Sequence, residues 1–553
     1  MKCKHLFLLL LSINTAVSCK KSNNPGPPST VNLNFTVDGS YNGSLNYTNV
    51  KTSPTITFTF SGPIQTSNLS AAITFLGSNG AVVPYKQTLQ SNNSVLIIQP
   101  INSLATFSRY SLNVSPNLQS SSGGSLTNPV TISLITGVDS TNKFPLITDS
   151  QLLDLVQKQT LKYFWDYGHP VCGMARERDN DNKPDVIAVG GSGFGIMAIV
   201  TGVSRNFISH ADGLARMQKI VGFLKNNAQT FHGAFPHWLN GTTGAAIAFS
   251  AQDDAADLVE TSYLMEGLLV ARQYFNGAGT DESALRTDIN TLWNNVEWDW
   301  FRQNGQNTLY WHWSPNFGWS TNFQINGWDE ALITYVMAAS SNTHSIPKIV
   351  YDNGWANNGG IKNGNSYFGI KLPLGPSVGG PMFFAHYSFL GINPSNLSDA
   401  YASYDVQNKA HAMINYSYCV SNPNNFIGYG ASCWGLTACD IQNGYTACSP
   451  TNDVGVIAPT AALSDMPYTP TQSMAALRFF YYKLGDKIWG QYGFCDSFNL
   501  NTSWVASSHL AIDQGPIIDM IENYRSGLLW NLFMSCPEVK TGMKNLGFQS
   551  PNL

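Results

Sequence analysis

The hydrophobic period of this chain changes once, and that change divides it into two bodies of different class. Up to about residue 138 apolar side chains recur at every second position. Leu33, Phe35 and Val37 alternate with polar residues, and so do Ile56, Phe58 and Phe60. Val95-Leu96-Ile97-Ile98, Tyr110–Val114 and Val130–Leu134 continue the strand signal. Turn residues separate these runs at Gly39, Asn42-Gly43, Gly62-Pro63 and Asn79-Gly80. Successive side chains of a strand point to opposite faces, so a period of two marks strands buried on one side. Residues 31–138 are predicted to form a small antiparallel sandwich of the immunoglobulin-like kind. They carry no clustered acid or histidine, which suits a spacer or a weak binding module.

From about residue 146 the spacing becomes helical. Leu152, Leu153, Val156, Leu161, Phe164 and Trp165 follow Thr148-Asp149-Ser150, a good N-cap. Further helices are predicted near 193–203, 211–226, 256–275, 283–301, 328–340, 399–419, 471–484 and 516–534. Loops rich in Gly, Asn and Trp lie between them, as at 304–327 and 355–385. This count over about 400 residues fits a double ring of helices, an all-α (α/α)6 toroid over 146–553, better than a bundle. Such a toroid places its site where inner helix ends meet the loops. The 14 Trp and 24 Tyr suit a large core with flat side chains to spare. A net charge of -4, with no basic run beyond Lys20-Lys21, argues against a nucleic-acid partner.

The first residues read as an export signal. Lys2 and Lys4 precede the apolar run Leu6–Leu11, and small residues lead to Ala16-Val17-Ser18-Cys19. The run is too short for a membrane span. Its ending resembles the bacterial lipoprotein signal: residues 1–18 would be removed and Cys19 lipidated. Residues 19–30, with Pro25, Pro27 and Pro28, would be a flexible tether. The expected location is the bacterial cell envelope, on an outer-membrane lipid anchor, facing either the periplasm or the surface. Beyond Cys3 and Cys19 an odd number of cysteines remains: Cys172, Cys419, Cys433, Cys439, Cys448, Cys495 and Cys536. None are at C-x-x-C spacing, and zinc is not expected. Cys439 and Cys448 flank the turn Asn443-Gly444, where a local disulfide and two free thiols are equally good readings.

The acids that could carry chemistry are few, because only 12% of residues are charged. Asp253, Asp257 and Glu260 fall at i, i+4 and i+7 and would share one face of a helix. Beside Trp- and Tyr-rich segments they suggest a site for a neutral polar substrate. Their structural alternative is an acid-rich first turn suited to the helix dipole. Glu330 follows Trp328-Asp329 ahead of a helix, and Asp513 precedes another. For either one, taken singly, a first-turn acid is the commoner explanation. Glycoside hydrolysis by inversion needs one protonated carboxyl and one carboxylate that activates water, usually from distant parts of a chain. Trp311, Trp313, Trp319, Phe384, Tyr387 and Trp434 are candidate sugar platforms, with at least half expected to be core. The run Gly190-Gly191-Ser192-Gly193-Phe194-Gly195 lacks the lysine of a phosphate loop. H-E-x-x-H is absent, the histidines are scattered, and neither metal nor cofactor is expected.

Several long motifs occur in one order. They are Tyr167–Pro170 with Gly173–Arg178, Asp257–Thr261, Gly327–Leu332, Gly379–Phe389, Ala458–Ala462 and Ile512–Pro516. Over about 146–553 the sequence resembles glycoside hydrolase family 144, bacterial endo-β-1,2-glucanases once filed as glucoamylase-like. The sandwich lies outside that resemblance. It implies an (α/α)6 barrel and cofactor-free, inverting hydrolysis of β-1,2-glucan to short sophoro-oligosaccharides. It also implies that Glu330 is the general acid and Asp513 stands on the base side, with one proton passing through a substrate hydroxyl. Asp253, Asp257 and Glu260 would hold sugar hydroxyls. Arg176 and His386 lie in the shared motifs and would join them on the substrate. Two other readings stand beside this one: an exo enzyme releasing sophorose, and a lipid-anchored glycan-binding protein without turnover. The presence of both Glu330 and Asp513 speaks against the last. The chain is read as a monomer.

Overall fold

The structure is a computed structural model that describes residues 30–553. The leader, Cys19 and nearly all of the tether lie outside the described residues. The described chain divides after Gly137 into two units.

The first unit is a sandwich of two four-stranded sheets. Its strands are β1 (Leu33–Val37), β2 (Asn46–Val50), β3 (Ile56–Phe60), β4 (Ile73–Gly77), β5 (Tyr85–Gln90), β6 (Val95–Pro100), β7 (Arg109–Val114) and β8 (Val130–Thr136). One sheet runs β1-β3-β6-β5 and the other β2-β8-β7-β4. The alternating residues do what their period demands. Ile56 and Phe58 of β3, Leu96 and Ile98 of β6, Leu112 of β7, and Ile132 and Leu134 of β8 are wholly buried between the sheets. The expected all-antiparallel arrangement needs one correction: β2 pairs parallel with β8.

In the second unit two kinds of helix alternate along the chain. Asp149–Trp165, His210–Asn226, Thr280–Asn294, Tyr404–Ser421 and Pro470–Ile488 bury one face. Val189–Ser204, Leu258–Tyr274, Leu332–Ser340, Pro459–Ser464 and Ala511–Ser526 are buried over all or most of their length. A helix apolar all round belongs in an interior, and one with a single apolar stripe belongs at its surface. The buried helices pack in succession. Pro459–Ser464 lies on Ala511–Ser526, which lies on Val189–Ser204, then Leu258–Tyr274, then Leu332–Ser340. Two 3₁₀ turns, Met382–Ala385 and Tyr387–Phe389, stand between Leu332–Ser340 and Pro459–Ser464 in chain order. His386 between those turns bonds Asp465 at 2.8 Å, just past Pro459–Ser464.

The glycine-rich run is not a loop. It forms the first turns of Val189–Ser204, and its glycines let interior helices touch. A Cβ at Gly193 would fall on the Tyr263 carbonyl oxygen, and one at Gly267 on the Gly193 carbonyl. A Cβ at Gly191 would meet Ala511 at 2.7 Å. The predicted helix 516–534 is two, Ala511–Ser526 and Leu528–Met534, broken at Gly527 with φ 67°. The helical unit also begins earlier than 146. Phe144 stacks on Tyr481 at 4.6 Å between ring centroids, and the Lys143 N–H donates to the Tyr482 carbonyl.

Candidate active site

The interior helices start around a cavity of about 530 Å³. Glu177, Glu260 and Glu330 line it, with Arg178, His237, Trp238, Phe249, Phe383, Tyr387 and Tyr445. With Asp181, four carboxyls therefore share one cleft with five aromatic rings.

Glu330 lies two residues before Leu332–Ser340, in a segment held by its backbone. Its carbonyl accepts hydrogen bonds from the Tyr263 hydroxyl at 3.3 Å and from Ser388 Oγ. No other side chain is hydrogen-bonded to its carboxyl among the described residues, and burial pushes that carboxyl up to about 7. A carboxylic acid still protonated near neutral pH can give a proton to a leaving oxygen. Glu260 is also pushed up to about 7 by burial, but its Oε2 already accepts the Gly190 N–H at 2.6 Å. Only glycine fits at 190, since a Cβ there would stand 2.6 Å from that oxygen. Burial raises Glu177 too, but it accepts the Trp238 indole N–H, so of the three raised carboxyls Glu330 is the uncommitted one.

Asp513 sits in the first turn of Ala511–Ser526 and is 2% exposed. Its neighbours Leu510 and Ile512 line the cleft, whereas its own side chain stands behind them. There it meets Asp496, and burial together with that second acid raises Asp513 well above the usual range. Burial pushes Asp496 up to about 6. Two carboxyls this close hold one proton between them. The Asp440 N–H donates to Asp496 at 2.6 Å, and Asp440 in turn pairs with Arg178 at 3.2 Å. A chain of acids thus runs from the base of the cleft to an arginine on its wall.

Asp253, Asp257 and Glu260 do not share a helical face. The helix starts at Leu258, Asp257 is its N-cap, and Asp253 lies before it. Asp257 is wholly buried and its oxygens are engaged. Oδ1 accepts the Val259 and Glu260 N–H groups at 3.0 Å each, and Oδ2 meets His237 at 3.0 Å and His312 at 3.6 Å. Asp253 pairs with His312 at 3.1 Å. Burial opposes charge on His237, yet Glu260, Asp257 and Glu177 outweigh it and push the imidazole up to about 10. Hydrogen bonds from Asp253 and Asp257 likewise carry His312 up to about 9 against burial. Ligand atoms of His237, Asp253 and Asp257 lie within 4.8 Å of one another, close enough to hold a cation. Two imidazolium ions already neutralise the two carboxylates, and among the described residues Asp253 Oδ1 and His312 Nδ1 are left as the cluster's buried atoms without a hydrogen-bond partner. The cluster braces the wall that presents Glu260 and His237, and Asp257 has no oxygen left for a sugar hydroxyl.

The remaining predicted residues divide. Tyr387 lines the cleft, its ring 5.2 Å from both Phe194 and Phe383. His386 is 1% exposed and bound to Asp465. Trp434 is wholly buried and donates to the Gln472 carbonyl. Phe384 packs edge-on to Phe383, the ring that reaches the cleft in its place. Arg176 lies over the Tyr167 ring and donates to two carbonyls, so the cleft arginine is Arg178. Trp313 and Trp319 are outside the cleft and gather around Trp300. The cleft rings absent from the predicted platforms are Trp238, Phe249, Phe383 and Tyr445. Trp238 donates to Glu177 at 3.1 Å, and Phe249 stacks on His237 at 4.0 Å. The Phe235-Pro236-His237-Trp238 run was a visible aromatic signal; the isolated Phe249 gave none. Cys439 and Cys448 are buried thiols in hydrogen-bond contact, which answers the even choice of disulfide or thiols in favour of thiols.

An acid-lined, aromatic-walled cleft at the ends of packed interior helices has the parts that glycoside hydrolysis requires. Comparison with known proteins makes this specific. The family described as "Putative glucoamylase" matches residues 322–537, and a bacterial Ig-like domain matches 32–136. An endo-β-1,2-glucanase of Chitinophaga pinensis, solved with sophorotriose and glucose, is 49% identical with TM-score 0.72. That likeness covers 74% of this chain and 100% of that one. A β-1,2-glucanase structure from Parabacteroides distasonis is 37% identical with TM-score 0.71, covering 89% of this chain and 71% of that one. An exo β-1,2-glucooligosaccharide sophorohydrolase from Parabacteroides distasonis is 45% identical over 428 residues, covering 74% of this chain. The chain spans only 59% of that relative's length. The chain belongs to glycoside hydrolase family 144, the bacterial β-1,2-glucanase family, and carries an Ig-like domain ahead of its helical catalytic domain.

Proposed function

We propose that this protein hydrolyses β-1,2-glucan, within the chain and with inversion, to short sophoro-oligosaccharides. The observation that carries this is Glu330: a half-buried carboxyl pushed up to about 7, unpaired by any other side chain, in a cleft with three further carboxyls and five aromatic rings. Glu330 donates the proton to the departing glycosidic oxygen. On the base side, the pair Asp496/Asp513 takes up the proton of the attacking water. Asp513 does not line the cleft, so that proton travels through a substrate hydroxyl or water. Glu260, Glu177 and Arg178 orient hydroxyls, and Trp238, Phe249, Phe383, Tyr387 and Tyr445 offer faces to the sugar rings. Asp253 and Asp257 hold the wall behind them.

The alternation of buried and half-buried helices supports a closed (α/α)6 ring, with the 3₁₀ pair 382–389 as its sixth inner element and His386–Asp465 as its closing contact. The test of substrate is release of reducing ends from linear β-1,2-glucan, with β-1,3-, β-1,4- and α-glucans as controls. Turnover confined to the β-1,2 polymer is expected, and equal or better turnover of another glucan overturns the reading. One relative is an exo sophorohydrolase, so product size decides the mode. Early products of mixed length mark endo action; sophorose alone from the outset marks the exo enzyme. The protein is monomeric and tethered to the outer membrane through lipid on Cys19, supported by Ala16-Val17-Ser18-Cys19. Cys19→Ala is expected to leave the membrane fraction or stall in processing, and unchanged fractionation refutes the anchor.

A further inference from the structure

A second pocket, of about 340 Å³, shares no residue with the acid cleft. It is lined by Glu297, Asp299, Trp300, Asn304, Trp319 and His344, with Gly305. Most large rings of this unit are interior, and Trp293, Trp298, Trp355 and Trp434 are all under 2% exposed. Trp300 is 40% exposed, and Phe317 and Phe323 nearby in sequence are 46% and 53% exposed. An indole left partly in water forgoes part of the stabilisation of burial, so its exposure calls for a reason.

Trp300 is also braced from behind. His232 stacks on it at 3.8 Å between centroids and 15° between planes. Glu297 fixes that imidazole through Nδ1 at 2.8 Å. Trp313 meets Trp300 edge-on at 6.1 Å. Trp319 stands 6.4 Å from Trp300 at 35°, with Phe301 and Tyr310 against it edge-on. The two indoles form a shallow V. Around them are carboxylates of Glu297 and Asp299 and the amide of Asn304, and Asp299 is held by His344 at 2.9 Å. Flat apolar faces take the C–H face of a pyranose, and acceptors at the rim take its hydroxyls. The rim carboxylates, with His344 as the only basic side chain in the lining, disfavour an anionic ligand.

We propose that this V is a second glucan-binding site, outside the catalytic cleft, which holds another stretch of the polymer. A braced platform binds without first ordering its rings, which is the condition for useful affinity from few contacts. The inference rests on the reading of the protein as a β-1,2-glucanase, and its test is arranged so that the two can fail separately.

The experiment measures binding of the full chain to long β-1,2-glucan by affinity electrophoresis, in a Glu330→Gln background that cannot consume the ligand. Trp300→Ala is added to that background, and separately to the active enzyme for turnover of sophoro-oligosaccharides too short to reach beyond the cleft. Loss of about 1 kcal/mol of ring contact corresponds to about five-fold weaker retention. The expected result is that loss or more with Trp300→Ala, with short-substrate turnover and melting temperature unchanged. Trp300→Phe keeps a ring on His232 and should be intermediate; should the alanine variant fail to fold, the phenylalanine variant decides. Unchanged retention in the decisive variant overturns the site. Retention lost together with short-substrate turnover also overturns it, because the effect then belongs to the cleft. Failure of the active enzyme to cleave any β-1,2-glucan strikes the catalytic reading instead, and is seen before Trp300 is touched.

Discussion

At the scale of single residues, the site rests on carboxyls kept from water. Glu330 must hold its proton to act, and burial keeps it protonated up to about pH 7. Above that pH the active fraction falls about tenfold per unit, so the alkaline limb of kcat against pH should bend near 7. Glu330→Gln should lower kcat by about 10²–10⁴-fold with the fold intact, measured as turnover alongside a melting curve. A different pair of acids governs stability. Glu266 and Asp519 are wholly buried, and both Asp519 oxygens and Glu266 Oε2 lack a hydrogen-bond partner. Burial raises both well above the usual range, and Glu266 further raises Asp519. From about pH 4 upward the unfolded chain releases protons that the folded one keeps. Stability must therefore fall as pH rises, by up to about 1.4 kcal/mol per unit for each such group. Asp519→Asn should flatten that slope between pH 5 and 8 in denaturant titrations (about one group's share). An unchanged slope would mean that Asp519 is not the group retaining the proton.

At the scale of elements, the sequence was legible where one local signal decided the outcome. Thr148 caps its helix through the Gln151 N–H, and the Gln151 side chain returns the bond, as Thr148-Asp149-Ser150 promised. Period two in residues 31–138 placed the strands, yet nothing in it could show that β2 meets β8 in parallel, because pairing is set by distant partners. Glycine weakens a helix by propensity, yet contact with Leu258–Tyr274 and Ala511–Ser526 holds Gly190–Gly195 helical, and the helix predicted near 193–203 begins earlier, at Val189. Gly193→Ala ordinarily gains helix stability, but here the new Cβ would strike the Tyr263 carbonyl. A loss of about 1–3 kcal/mol is expected, readable as a lower denaturation midpoint. The acids show the same limit. Asp253, Asp257 and Glu260 looked like one face because their spacing is helical, but the helix begins only at Leu258. Asp496 carried no local mark at all, and Glu177 stood in the Gly173–Arg178 motif without being singled out; both matter through what the fold brings beside them.

At the scale of the whole molecule, the period changes near 146, while the described chain divides after Gly137 and Phe144 packs on Tyr481 within the helical unit. A chain begun at 138 should fold and keep most turnover on soluble β-1,2-glucan. One begun at 146 loses the Phe144 stack on Tyr481 and should melt lower. Strong loss of turnover in a well-folded 138–553 chain would show that the sandwich takes part in the cleft. The central claim remains that Glu330 and the Asp496/Asp513 pair cleave the glucan by a single displacement. Proton NMR of the first products from β-1,2-glucan tests it most directly. Inversion at the β-linked carbon predicts that the α-anomer appears first and then mutarotates, whereas an initial β-anomer would contradict the account.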